Sequence, residues 1–247
     1  MFDLSHLTIR SAERVLVDDL SLRLPPRGLT ALIGPSGCGK SSVLKWLAGI
    51  AAPGLTAEGR LSIDGTASAR PSAAISYQPQ SDALFPWLTI AENAALGLTV
   101  TGIGKSAARE AVAPLFQPFG LAGCEDLFPA QLSGGMRQRA AFLRTVAVGS
   151  RVLLLDEPFS ALDAVTRLSM QDWLRARLSE REVSVLLVTH DLAEATALAD
   201  RVLVMAARPG RIIAEVPIPL PAHQRNEAAL APLRETLKSL LLQEEIR

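Results

Sequence analysis

The sequence predicts an α/β domain built on a mostly parallel sheet, and three features predict it. Apolar runs with the length of buried strands recur at residues 30–33, 152–155, 183–189 and 202–205. Between the later runs lie stretches with helical spacing, near 165–179 and after Asp191, and strands separated by helices indicate parallel pairing through crossovers. The first run stops at a glycine-rich turn, and a helix follows in which Val43, Leu44 and Leu47 share a face and Gly49 marks the stop.

The other elements follow along the chain. Residues 61–63 and 73–77 are further strand candidates, separated by Asp64-Gly65, a strong turn signal, while residues 51–59 read as a long loop. From about residue 89 to 148 the pattern turns helical, broken by Gly102, Gly104, Pro118, Gly120 and Pro129, and reads as an insertion into the α/β core. Residues 226–247 carry Leu230, Leu233, Leu237, Leu240 and Leu241 on one helical stripe, expected to pack on its own domain. No fixed-period repeat or low-complexity tract is present.

Composition bounds the function. Lys+Arg and Asp+Glu both total 25, so the surplus of positive charge typical of a nucleic-acid binder is missing and no nucleic-acid partner is expected. A hydrophobic share of 49% against 20% charged excludes intrinsic disorder. No run approaches the roughly 18 uninterrupted apolar residues of a membrane span. Asp3 stands where a signal peptide has its basic region, and two cysteines, Cys38 and Cys124, are too few for a disulfide framework, which suits a reducing cytosol.

Gly34-Pro35-Ser36-Gly37-Cys38-Gly39-Lys40-Ser41 matches G-x-x-x-x-G-K-[ST] in full, between a strand and a helix. Glycines let the backbone curl so that successive N–H groups face phosphate oxygens, and the helix that begins near Lys40 and carries Ser42 adds its positive end. Lys40 is placed to reach the β- and γ-phosphates, and Ser41 to offer its hydroxyl to Mg²⁺. Arg151-Val152-Leu153-Leu154-Leu155-Asp156-Glu157 supplies a buried strand whose C-terminal edge is where α/β sheets place ligands. Asp156 there can hold the Mg²⁺ shell, and Glu157 can polarise an attacking water. Together the two segments indicate nucleoside triphosphate hydrolysis.

Leu132-Ser133-Gly134-Gly135-Met136 then opens a helix, a second anion site made of a serine and two glycines at a helix N-terminus. With these motifs in order the chain resembles the ATP-binding subunit of an ABC transporter, across roughly residues 2–215. The resemblance implies one ABC ATPase domain with a P-loop NTPase (RecA-like) core, an antiparallel β subdomain and an inserted helical subdomain. Residues 1–88 and 146–215 would form the core with its β subdomain, 89–145 the helical subdomain and 216–247 a C-terminal extension. It also implies ATP and Mg²⁺ as ligands, Gln80 touching Mg²⁺ and the water, Asp163 in the loop that crosses a dimer interface, and His190 on the γ-phosphate. The family forms head-to-tail dimers, so Ser133, Gly134 and Gly135 of one subunit close on the ATP held by the other.

The chain carries no long coiled coil, second cassette or fused membrane helices, which leaves the importer type. Residues 84–89, LFPWLT, together with Arg208-Pro209-Gly210-Arg211-Ile212, are similar to importers of nitrate, sulfonates, taurine and thiamine precursors. The implied partners are integral-membrane permease subunits and, indirectly, a solute-binding protein, with the chain peripheral on the cytoplasmic face of the inner membrane. The rival reading is a soluble ABC-type ATPase that uses ATP as a dimerisation switch without a permease. Intact Glu157 and His190 argue against an inactive switch, and Phe85-Pro86-Trp87 for a membrane docking groove.

One position departs from the family. Its members carry an aromatic ring a little over twenty residues before the phosphate loop, where it stacks on adenine; here the count falls near Ser11, and residues 10–17 hold no aromatic. Arg10 or Arg14 takes its place over the base. Ordinary phosphate recognition with weak discrimination between ATP and GTP is therefore expected. A measured ATP preference above about a hundredfold, roughly 2.7 kcal/mol, contradicts it.

Overall fold

The computed structural model describes residues 1–245 and contains two sheets. Strands β1 (Phe2–Ser11) and β2 (Val15–Leu24) form an antiparallel hairpin, and β3 (Gly28–Ile33) leads through the glycine-rich loop into α1 (Lys40–Leu47). Strands β4 (Leu55–Ile63) and β5 (Thr66–Ala67) complete a four-stranded antiparallel sheet in the order β2-β1-β4-β5. The expected loop at 51–59 is thus shorter, because β4 begins at Leu55 and pairs with β1 from Ser11↔Leu55 onward. Its side chains are mostly solvent-facing, so backbone pairing rather than a buried face holds it.

Next come β6 (Ile75–Gln78), α2 (Ile90–Val100), α3 (Lys105–Phe116) and α4 (Gly134–Ala147). Helix α2 starts where its cap dictates: Thr89 Oγ1 accepts from Glu92 N and Glu92 Oε2 accepts from Thr89 N. The chain then alternates through β7 (Val152–Asp156), α5 (Ala164–Glu180), β8 (Ser184–Val188), α6 (Leu192–Leu198) and β9 (Arg201–Met205). It ends with β10 (Ile212–Pro217) and α7 (Glu227–Glu245); of the expected C-terminal helix, residues 246 and 247 lie outside the described residues.

The second sheet has the order β10-β9-β3-β8-β7-β6, parallel except for β10, which pairs antiparallel with β9 at one edge. Both faces of the inner strands are covered, which is why β3, β7, β8 and β9 are almost wholly apolar. Leu153, Leu155, Val185 and Leu187 pack with the helices α2 to α7, whereas Leu154, Leu186, Val188 and Leu203 face α1 and the antiparallel sheet. Phe119, Phe142, Phe159 and Trp173 meet mostly edge-to-face, with ring centroids 4.8–5.8 Å apart. This cluster ties α4 and α5 to the turn that leaves β7.

Helix α7 lays its stripe on the domain: Leu230 and Leu237 are buried, with Leu233, Leu240 and Leu241 packed against the same core. Leu237→Ala should cost about 2–5 kcal/mol of unfolding free energy in urea titration. A loss below about 1 kcal/mol would mean that the helix is dispensable to the fold.

Candidate functional site

Four neighbouring parallel strands, β3, β8, β7 and β6, deliver the site. Their C-terminal ends lie side by side, with Leu32 opposite Val188, Val188 opposite Asp156, and Leu155 opposite Gln78. The segments that follow (34–39, 189–191, 157 and 79–80) therefore converge at one edge, where such sheets place ligands.

The phosphate loop is built as its sequence demands. Gly39, the residue before α1, has φ 101°, and a Cβ there would lie 2.6 Å from Val17 Cγ2. It gives α1 no side-chain cap, so the N–H groups of the first turn face the loop. Lys40 is buried, its ammonium donating to the carbonyls of Gly34 (2.7 Å) and Pro35 (2.9 Å) at the loop's centre. Cys38 is also buried, with Sγ 3.6 Å from the same nitrogen, while Ser36 and Gly37 are exposed and Ser42 is half-buried in the helix.

Ser41 Oγ donates to Asp156 Oδ1 at 3.1 Å, joining the expected metal-binding pair. Burial pushes the Asp156 carboxyl above the usual carboxylate range, and the adjacent Glu157 charge adds to this; the hydroxyls of Ser41 and Tyr77 oppose it. Tyr77, a residue the motifs did not single out, is itself raised by burial beside Asp156.

Glu157 takes the next position with φ 50°, the left-handed region that a non-glycine residue seldom occupies. The turn aims its carboxylate between two expected partners. Gln80 Nε2 donates to Oε2 at 3.1 Å, and His190 Nδ1 lies 3.2 Å from Oε1. Gln78, two residues before Gln80, is buried at the end of β6 with its Oε1 unpartnered among the described residues.

The signature segment lies elsewhere. Ser133 caps α4, its Oγ accepting from Met136 N, and a Cβ on Gly135 would rest 3.6 Å from Ala161 O. Among the described residues no hydrogen bond joins Ser133, Gly134 or Gly135 to residues 34–41. Asp163 caps α5 by accepting from Thr166 N, and that bond holds its carboxyl below the usual range. Gly135 and Asp163 thus both lie by the turn that follows β7.

Two residues without an expected role connect the parts. Gln138, on α4, donates to Glu157 O (3.2 Å) and accepts from Ala161 N (2.8 Å), so it fixes both the Glu157 turn and the loop beyond it. Arg167, on α5, donates to Leu162 O (3.1 Å) and reaches within 3.8 Å of Asp191, the neighbour of His190. Gln138 lies two residues beyond the signature segment, yet its partners follow nineteen or more residues later, and only the fold brings them close.

A family model described as "ABC transporter" matches residues 17–160. The chain belongs to the ABC transporter family. This cassette is 36% identical over 243 residues to the formylaminopyrimidine import ATP-binding protein ThiZ of Halalkalibacterium halodurans, covering 96% of this chain and 94% of the relative. It is 40% identical over 242 residues to an aliphatic sulfonates import ATP-binding protein SsuB of Pseudomonas aeruginosa, covering 93% and 91%. Among solved structures, a dimeric cassette in a post-hydrolysis state bound to ADP and Pi superposes with a TM-score of 0.78 at 25% identity, covering 88% of this chain and 99% of that one. Like other members of its family, the cassette is a nucleotide-binding ATPase, and no described helix is long and apolar enough to cross a membrane.

Gln138→Ala should lower kcat by about tenfold or more through misplacement of the Glu157 turn, with the ATP dissociation constant unchanged. A rise in that constant with kcat intact would place Gln138 in binding instead.

Proposed function

We propose that the cassette energises import of a small solute by hydrolysing ATP as a head-to-tail homodimer beneath two integral-membrane permease subunits. It is peripheral on the cytoplasmic face of the inner membrane, and a solute-binding protein feeds the permease. The observation that carries this reading is the Glu157 carboxylate, held between Gln80 and His190 one residue beyond the buried Asp156–Ser41 pair.

The residues at that pair fit Mg²⁺. Asp156 is a buried carboxylate bonded to hydroxyls and, among the described residues, to no basic side chain, and an oxygen-only donor set suits a hard cation. Ser41 and Asp156 would hold it, with Gln80 presenting its Oε1 because Nε2 is given to Glu157. When bound, the ion supplies neutralisation of the phosphate charge.

The protein's own groups do the rest. Backbone N–H groups of Gly34, Pro35-flanked Ser36, Gly37, Cys38, Gly39, Lys40 and Ser41 cradle the phosphates, with Ser42 in the same first turn of α1. Lys40 exchanges its two carbonyl bonds for phosphate oxygens. Glu157 takes a proton from the attacking water while Gln80 and His190 orient it. Ser133, Gly134 and Gly135 of a second copy complete the charge stabilisation, and Asp163 with its loop lies at the interface.

Residues 1–88 and 146–215 serve as the nucleotide core, 89–145 as the helical subdomain that meets the permease, and 216–247 as an extension. Exposure supports the docking role: Trp87 is 69% exposed and stacks edge-on with the exposed Phe85, at 5.5 Å between centroids. Beside them a cavity of about 280 Å³ opens between α2 and α3, with Leu88, Ala91 and Leu96 in its wall. Asp82, in the same loop, is bonded to Arg137 of α4, so displacement of the loop is transmitted to the signature helix.

Glu157→Gln should slow hydrolysis by roughly 10²–10⁴-fold while ATP binding and dimer closure survive, as single-turnover assays and gel filtration with ATP can show. Undiminished turnover contradicts the assignment. Lys40→Ala should weaken ATP binding itself. Purification from detergent-solubilised membranes should yield an integral-membrane partner, lost in Trp87→Asp; its persistent absence from the wild type favours a soluble switch.

A further inference from the structure

Residues 206–211, between β9 and β10, fold back onto both β2 and the phosphate loop. Gly210 N donates to Leu16 O at 2.8 Å, Asp18 N donates to Gly210 O at 3.0 Å, and Val17 bridges to Gly210. A Cβ at Gly210 would come within 2.1 Å of Cys38 O, so only glycine permits this approach. The tip of the 206–211 loop is thereby locked at a fixed offset from the phosphate loop.

That tip presents Arg208, at φ 61°, and Pro209 to a cavity of about 360 Å³. Arg14, from the turn between β1 and β2, lines the same cavity, as do Asp18 and, from the phosphate loop, Gly37, and no aromatic ring does. Arg10, the other candidate for the missing ring, is not among the residues that line it. Both Arg14 and Arg208 are exposed, and among the described residues neither guanidinium is ion-paired.

Given the nucleotide reading above, on which this rests, we propose that the 206–211 loop is part of the nucleotide site and that Arg208 and Arg14 clasp the purine base between them. Guanidinium groups are planar and weakly hydrated, and they stack on π-faces, which every purine offers. Asp18 is an acceptor only and can accept a hydrogen bond from the exocyclic amine of adenine or of guanine. Selectivity between the two purines is therefore relaxed, and Arg208 sets affinity for the nucleoside half of the ligand.

Dissociation constants for ATP, GTP and inorganic tripolyphosphate, measured by calorimetry on the intact protein, test this. Arg208→Ala should weaken ATP and GTP by about 3- to 30-fold each, in similar proportion, and leave tripolyphosphate within about twofold. Arg208→Lys should behave like Arg208→Ala, because it keeps the charge and loses the planar stack. An equal loss for tripolyphosphate, or no loss for either nucleotide, overturns the inference. A wild-type protein that binds tripolyphosphate but neither nucleotide overturns the base site alone. One that binds none of the three overturns the phosphate cradle as well.

Discussion

The turn at Glu157 is where the elements of this cassette meet. Its backbone carbonyl accepts from Gln138 of the signature helix, its carboxylate bonds Gln80, and His190 stands against the second oxygen. The left-handed backbone at this residue is a local cost of order 1–3 kcal/mol that packing around it must offset. The edge-to-face cluster of Phe142, Phe159 and Trp173 on one side and the fully buried β7 on the other supply that constraint. Moving any one of the connected segments moves the Glu157 carboxylate.

That arrangement connects the Glu157 turn to distant segments. Asp82 links the segment after β6 to Arg137 on α4, and Arg144 of the same helix donates to the carbonyls of Asp82 and Ala83. Arg167 links the loop after Glu157 to Asp191, next to His190. The loop that carries the exposed Phe85 and Trp87 thus has short, bonded routes to α4 and, through Gln80, to the Glu157 turn. The apolar surplus of the composition is largely accounted for by a central sheet whose inner strands are buried on both faces, with the Phe85–Trp87 patch exposed.

Much of this was legible in the sequence because the chemistry restricts residue types at fixed spacing. Residues 34–41 and 152–157 announce their roles, and the fold places Lys40, Ser41, Asp156, Glu157, Gln80 and His190 at one sheet edge. Strands β1, β4 and β10 were harder to read. β10 and β4 expose much of both faces and lack clean alternation, and bulges interrupt the register of β1, so backbone pairing decides them. The roles of Gln138, Arg167 and Arg208 depend on neighbours far along the chain, and nothing in their local sequence reports those neighbours.

The central claim is the proposal that each chain holds half of two sites, consistent with the absence, among the described residues, of any hydrogen bond from Ser133–Gly135 to the phosphate loop of the same chain. Specific ATPase activity of the isolated cassette, measured over a wide range of its own concentration, tests this most directly. Composite sites predict activity per chain that rises with protein concentration and then saturates as dimers fill. Activity per chain that stays constant down to dilutions where only monomer is present would contradict it.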